Sequence, residues 1–181
     1  MKNRCRCRGW QQETVSAEGE ARTEGSMKRI GEAALTFRVP AIVDGDVTYI
    51  DPGQLQGQWV ALCFVPHLGR VEIDLLDRQG QNMEELGASL LVMSLETRAL
   101  QREECLRIGK VHFSLVGDPL GRLQRLYGGV TTQSWGRGRT FLIDPEGLLR
   151  FQLVHSLSER GMGVLMELVQ AYQDQDIAAL F

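Results

Sequence analysis

A chain of 181 residues, 43% hydrophobic and 24% charged, has the length and balance of one globular domain with a real core. Its formal net charge of −3 leaves no electrostatic footprint for nucleic acid. No apolar run approaches the roughly 18 to 20 residues that cross a bilayer, so no membrane partner is expected. Residues 1–26 contain no apolar stretch of the kind a secretory signal needs, and cytoplasm is the expected location.

The first 26 residues are polar, with Trp10 and Val15 the sizeable apolar groups apart from Met1 and the cysteines. Such a segment cannot bury enough apolar surface to offset its ordering entropy, and a disordered extension over 1–26 is expected. Met27-Lys28-Arg29-Ile30-Gly31 looks like the natural beginning of the folded part, which makes Met27 an alternative initiator. A single folded domain is then expected over 27–176, followed by a short tail at 177–181.

From Val39 onward the signals are regular. Ala41–Val43 and Val47–Ile50 flank Asp44-Gly45-Asp46, a hairpin signal. Gln58–Val65 is a near-continuous apolar run, as a strand covered on both faces requires. Val71–Leu86 places Ile73, Leu76, Met83 and Leu86 at helical spacing, with Gly80 weakening the middle. Ser89–Leu95 reads as a second buried strand, and Thr97–Ile108 as an amphipathic helix that Gly109 ends. Phe113–Val116 is a short strand, and Leu120–Tyr127 a short helix closed by Gly128-Gly129. Thr140–Ile143 and Leu148–Val154 flank Asp144-Pro145-Glu146-Gly147, a strong turn signal. Gly163–Tyr172 gathers Val164, Leu165, Leu168, Val169 and Tyr172 roughly on one face of a closing helix. This alternation is an α/β pattern. The order fits a thioredoxin-like central mixed sheet flanked by helices on both faces.

Six segments carry a resemblance: VPAIVDGDVTYI, QWVALCFVP, LGASLLVMSLE, GDPLGRLQRLYGG, TFLIDPEGLLRF and ERGMGVLMELVQAYQ. In this order they are similar to the peroxiredoxins, more narrowly to the alkyl hydroperoxide reductase and thiol-specific antioxidant branch, over about Ile30 to Gln173. The resemblance implies a peroxiredoxin-type fold, homodimers as an expected assembly, and thiol-dependent reduction of peroxides.

The residues that would carry that reaction depart from the pattern. In the family the central strand ends in a proline, and a Phe-Thr-x-x-Cys-Pro-Thr-Glu stretch opens the next helix. Here Pro66 matches the proline and Glu72 the glutamate, but His67-Leu68-Gly69-Arg70-Val71 between them holds no cysteine, serine or threonine. A peroxidatic thiol works as a thiolate, stabilised by a helix N-terminus and a nearby arginine, and becomes a sulfenic acid. Without sulfur at the helix start, nothing there can be oxidised. The resemblance also implies an arginine two residues before the Thr-Phe of the hairpin strand, where Gly138 stands. Arg137 and Arg139 flank it, but strand alternation aims them at the other face. The resolving cysteine that many members carry beyond the last helix has no counterpart in DQDIAALF.

Four cysteines remain as Cys5, Cys7, Cys63 and Cys105. Cys5-Arg-Cys7 is not a zinc spacing, and neither a metal nor another cofactor is expected. No residue stands out as catalytic. Cys63, inside the central strand, reads as a small buried hydrophobe, and Cys105 as a helical thiol at or near the surface. They are nevertheless the remaining redox candidates. His67, His112 and His155 have no acidic companion in motif spacing. Ser134–Arg139 reads as a solvated loop, with Trp135, Arg137 and Arg139 as a candidate contact or anion surface that Arg70 would complete. Pro66, His67, Gly69, Arg70 and Glu72 form a remodelled loop where the family's site would be.

Three readings follow. The chain is a peroxidase-inactive module that binds a protein partner through the remodelled pocket face. Alternatively it is an antioxidant oxidoreductase with weak or relocated thiol chemistry at Cys105 or Cys63, or the product of a decaying gene.

Overall fold

The computed structural model describes residues 29–34, 37–43, 45–51, 55, 57–96, 110–127 and 136–178, with side chains as far as 175. The expected extension over 1–26, the helix over Thr97–Ile108 with Cys105, the Gly128-Gly129 stop and Trp135 lie outside the described residues.

The apolar run that reads as a central strand forms β3 (Trp59–Val65), and every residue of it is buried. Such a strand needs neighbours on both edges and cover on both faces. It pairs in parallel with β4 (Ala88–Ser94) and antiparallel with β6 (Arg137–Ile143). β5 (Ser114–Gly117) continues the parallel part beside β4. The hairpin of β1 (Val39–Val43) and β2 (Asp46–Ile50) joins antiparallel to β5, and β7 (Leu149–Ser156) closes the other edge. The result is a seven-stranded mixed sheet in the order β2-β1-β5-β4-β3-β6-β7.

Alternation along β3 divides the core in two. Trp59, Ala61, Cys63 and Val65 face a layer made by α1 (Arg70–Glu85) and α3 (Glu159–Ala178). Val60, Leu62 and Phe64 face Leu91, Met93, Phe141 and Tyr127, with Leu123 from the short α2 (Arg122–Leu126). Helices therefore cover both faces, as a thioredoxin-like α/β fold requires.

Local chemistry sets the helix ends. Gly87 takes φ 69° just beyond α1 and donates its N–H to the Glu84 carbonyl at 2.9 Å, a glycine-dependent stop. The Asp118 carboxylate accepts the N–H groups of Arg122 and Gln124 at 2.8 and 3.0 Å and so starts α2. Ser158 Oγ accepts the Gly161 N–H at 3.2 Å and its carbonyl accepts the Met162 N–H at 2.9 Å, which starts α3. This cap carries the helix from Glu159 to Ala178, longer than the Gly163–Tyr172 that periodicity marks. Gly161 and Gly163 hide its first turn from a propensity reading.

Gly80 also takes a different meaning. It is buried on α1, and a β-carbon there would collide with the His112 carbonyl oxygen. The His112 N–H meanwhile donates to Asp77 Oδ1 at 2.6 Å. The glycine costs helix propensity and admits the entry to β5 against the helix.

Arg137 to Arg139 are not a solvated loop. The ladder with β7 extends to Arg137 opposite Ser156, so β6 begins three residues before the Thr140 that its apolar content marks. At the other end of this hairpin, Asp144 is wholly buried, accepts the Leu148 N–H at 2.7 Å and pairs with Arg150.

Candidate functional site

The C-terminal end of β3 runs through Pro66 into α1, and the connecting residues set the local chemistry. Leu68 is 3% exposed and anchors the loop in the core, while Val71 is 78% exposed on the first turn. His67 Nδ1 lies 2.5 Å from Glu96 Oε1, tying this loop to the end of β4. Glu96 is itself held by its N–H, which donates to Ser94 Oγ at 3.1 Å. His67 thus has an acidic companion, and so does His112, whose Nδ1 is 3.0 Å from Glu84 Oε2. Both partners come from distant positions in the chain, which motif spacing cannot reveal.

Gly69 is the N-cap of α1, in an extended conformation with φ −90°. Its N–H donates to Glu72 Oε2 at 3.1 Å, one half of a capping box. Counting back from Glu72 along the Cys-Pro-Thr-Glu pattern reaches this same Gly69. A β-carbon there would lie 2.8 Å from Glu72 Oε2 and 3.5 Å from His67 Nε2. The positive end of the helix dipole, which favours an anion, is met by the Glu72 carboxylate. Arg70 follows, exposed.

The one described cysteine lies elsewhere. Cys63 is on β3 with no solvent exposure. Burial pushes its thiol from 9.0 up to about 11, outweighing a hydrogen bond with the Thr140 side chain that pulls the other way. Thr140 stands opposite it on β6, and its hydroxyl is 2.8 Å from His155 Nε2. His155 Nδ1 is 3.1 Å from the Ser156 carbonyl. A carbonyl only accepts, so Nδ1 carries the proton and Nε2 accepts from Thr140. Burial holds the His155 pKa below 6.5, partly offset by the Ser156 carbonyl. At neutral pH the result is a neutral thiol, hydroxyl and imidazole in series. This arrangement stores protons in fixed places and offers no thiolate.

Gly138 completes the picture. It pairs with His155 and is buried. A β-carbon at 138 would meet Leu157 Cδ2 at 3.0 Å, His155 Cε1 at 3.2 Å and Cys63 Sγ at 3.5 Å. The position thus points into the layer that holds α1, where an arginine could serve a helix-start anion, but His155 and Leu157 fill the space. Arg139 is opposite Phe64, and Arg137 alternates with it, so both belong to the other face. The fold accordingly brings Pro66, His67, Gly69, Arg70 and Glu72 together at one end of α1.

Glu96, Thr140 and Leu157 are participants that sequence reasoning does not pick out, and it names His155 without a partner. The short spacing between Thr140 and the hairpin-related His155 is the one signal that could have found a pair. Among the described residues, no group of three or more His, Cys, Asp or Glu stands where it could hold a metal ion. No helix among them is long and apolar enough to cross a membrane.

Known proteins match this architecture. The family model described as AhpC/TSA family matches residues 30–152. Peroxiredoxin-2 of Pongo abelii is 29% identical over 161 residues, covering 82% of this chain and 90% of that protein. Alkyl hydroperoxide reductase C of Pseudomonas aeruginosa is 25% identical over 138 residues, covering 72% and 74%. Among solved structures, Enterococcus faecalis AhpC superposes with a TM-score of 0.68 at 21% identity, covering 81% of this chain and 93% of that one. The reduced 2-Cys peroxiredoxin of Plasmodium vivax gives 0.67 at 20% identity, covering 81% and 98%. With the family model spanning most of the described sheet, this chain belongs to the AhpC/TSA family of peroxiredoxin-like redoxins.

Proposed function

We propose that this chain is a peroxiredoxin-like protein without thiol peroxidase activity, retained as a binding module whose remodelled loop face meets a protein partner. The observation that carries the reading is Gly69 at the N-cap of α1. A peroxidase of this family needs a thiolate there, and the residue has no side chain. The nearest described sulfur on β3 is sealed in the core with its pKa raised to about 11. The Glu72 carboxylate already meets the helix start, and Gly138 offers no guanidinium. Val71, Arg70 and the His67–Glu96 pair form an exposed or half-exposed rim of mixed character, which suits a contact face.

The test combines a loss and a gain. The purified chain with excess dithiothreitol should consume no hydroperoxide above the buffer rate. Gly69→Cys should give at most a trace, because Glu72 opposes a second anion and Gly138 supplies no cation. Full family-like turnover by Gly69→Cys alone would show that the rest of the pocket is intact.

Family membership supports a second reading, an antioxidant oxidoreductase acting through Cys105 or Cys63. It requires peroxide- or disulfide-dependent turnover by the unaltered chain that Cys105→Ser or Cys63→Ser abolishes. Homodimerisation and a cytoplasmic location belong to this proposal in either form. Sedimentation of the purified chain and fractionation of its host are their tests.

A further inference from the structure

The corner where β6, β7 and the start of α3 meet has a feature that peroxide chemistry does not use. Thr140 is wholly buried and His155 is 7% exposed, yet both are polar. Thr140 links them to Cys63: its side chain is hydrogen-bonded to the Cys63 sulfur, its hydroxyl donates to His155 Nε2, and His155 Nδ1–H donates to the Ser156 carbonyl. Gly138 contributes no side chain over Cys63, so the His155 ring and the Leu157 side chain cover the space beside its sulfur. The backbone closes the same corner, with the Leu157 N–H on the Gly136 carbonyl at 2.7 Å.

We propose that His155 is an acid-sensitive latch: its neutral ring holds the end of β7 against β6 through Thr140, and protonation of the ring opens this corner and uncovers Cys63.

A protonated imidazole has two donors and no acceptor, so the Thr140 hydroxyl loses the group it donates to. It also places a charge where water is excluded, which costs heavily without a counter-ion. Among the described residues, the buried carboxylates are Asp118, which caps α2, and Asp144, which pairs with Arg150. On β3 the titratable neighbour is Cys63 itself. On β6, Arg137 lies on the alternate face and is cationic. On α1, Asp74 is exposed, Asp77 accepts the His112 N–H, and Glu72 caps Gly69. On α3, Glu159 pairs with Arg78 from α1 and Arg160 is cationic. Because the folded-state pKa lies below the unfolded 6.5, the stabilisation is complete above pH 6.5 and is lost as pH falls through the folded value. The end of β7 opens before the rest of the sheet because β7 is an edge strand paired with β6 alone, whereas β3 is paired on both edges.

The test is site-resolved labelling with a dipyridyl disulfide. The Cys63 sulfur attacks one sulfur of the reagent, the reagent's S–S bond breaks, and a pyridinethione leaves with the thiol proton. Peptide mass mapping separates Cys63 from the other cysteines, and a short cysteine peptide corrects for the reagent's own pH dependence. Between about pH 8 and about pH 5, corrected labelling of Cys63 should rise at least tenfold with unchanged far-ultraviolet circular dichroism. His155→Gln, which retains an acceptor for Thr140 and does not titrate, should give a flat profile. A flat wild-type profile, an equal rise in His155→Gln, or a rise that coincides with global unfolding would each overturn the latch. If His155→Gln does not fold, amide exchange in the wild type decides. Exchange at Leu157 must accelerate in acid relative to Val60, and equal behaviour of the two rejects the proposal.

Discussion

Gly138 faces His155 across β6 and β7, and a β-carbon on the glycine would come within 3.2 Å of the imidazole. The glycine and the histidine are therefore one packing decision. Wherever this ring and Leu157 occupy the layer beside Cys63, a long side chain at 138 has no room. Gly138→Arg should destabilise the fold by about 2–4 kcal/mol through overpacking and a buried guanidinium. Urea denaturation checks this, and adding Leu157→Ala should recover part of the loss. Two additive losses would mean that the contacts are not shared.

The Cys63 thiol should impose an alkaline limit on stability. Its folded pKa is raised from 9.0 to about 11, so the unfolded chain releases its proton first. The stabilisation is fully present below pH 9 and is lost as pH rises through about 11, worth about 3 kcal/mol at the far end. Urea midpoints of wild type and Cys63→Val across this range measure it. The variant should lack this component of the alkaline decline, and parallel curves would assign the decline to other groups.

Gly80→Ala separates propensity from packing. On helix propensity alone the alanine would stabilise α1 by about 1 kcal/mol. Its methyl group would collide with the His112 carbonyl, a backbone atom held in place by the bond from His112 N–H to Asp77. A net destabilisation of at least about 2 kcal/mol is expected by urea denaturation. A more stable variant would show that the entry to β5 moves freely.

How much of this was legible in the sequence depends on the range of the interaction. The apolar run of β3, the Asp-Pro-Glu-Gly turn and the 3.6-residue period of α1 are local, and the sequence shows them. The absence of sulfur between Pro66 and Glu72 is equally plain. Partners fixed by the sheet register were not legible: His67 with Glu96, Thr140 with His155, and Gly138 against Leu157. Gly80 and Gly138 are instructive failures of local reading. Each looks like a weak point or a missing residue along the chain, and each is a close approach in three dimensions.

The proposed function requires that no described sulfur of this chain react as a peroxidatic thiolate: the start of α1 carries Gly69, and Cys63 has no solvent exposure. The most direct measurement is trapping of sulfenic acid by a dimedone-type reagent, read peptide by peptide after brief exposure to hydrogen peroxide at neutral pH. The expected result is no adduct on the peptide that carries Cys63 and no peroxide consumed beyond the buffer control. A stoichiometric adduct on that peptide, formed while the fold is intact, would contradict the account.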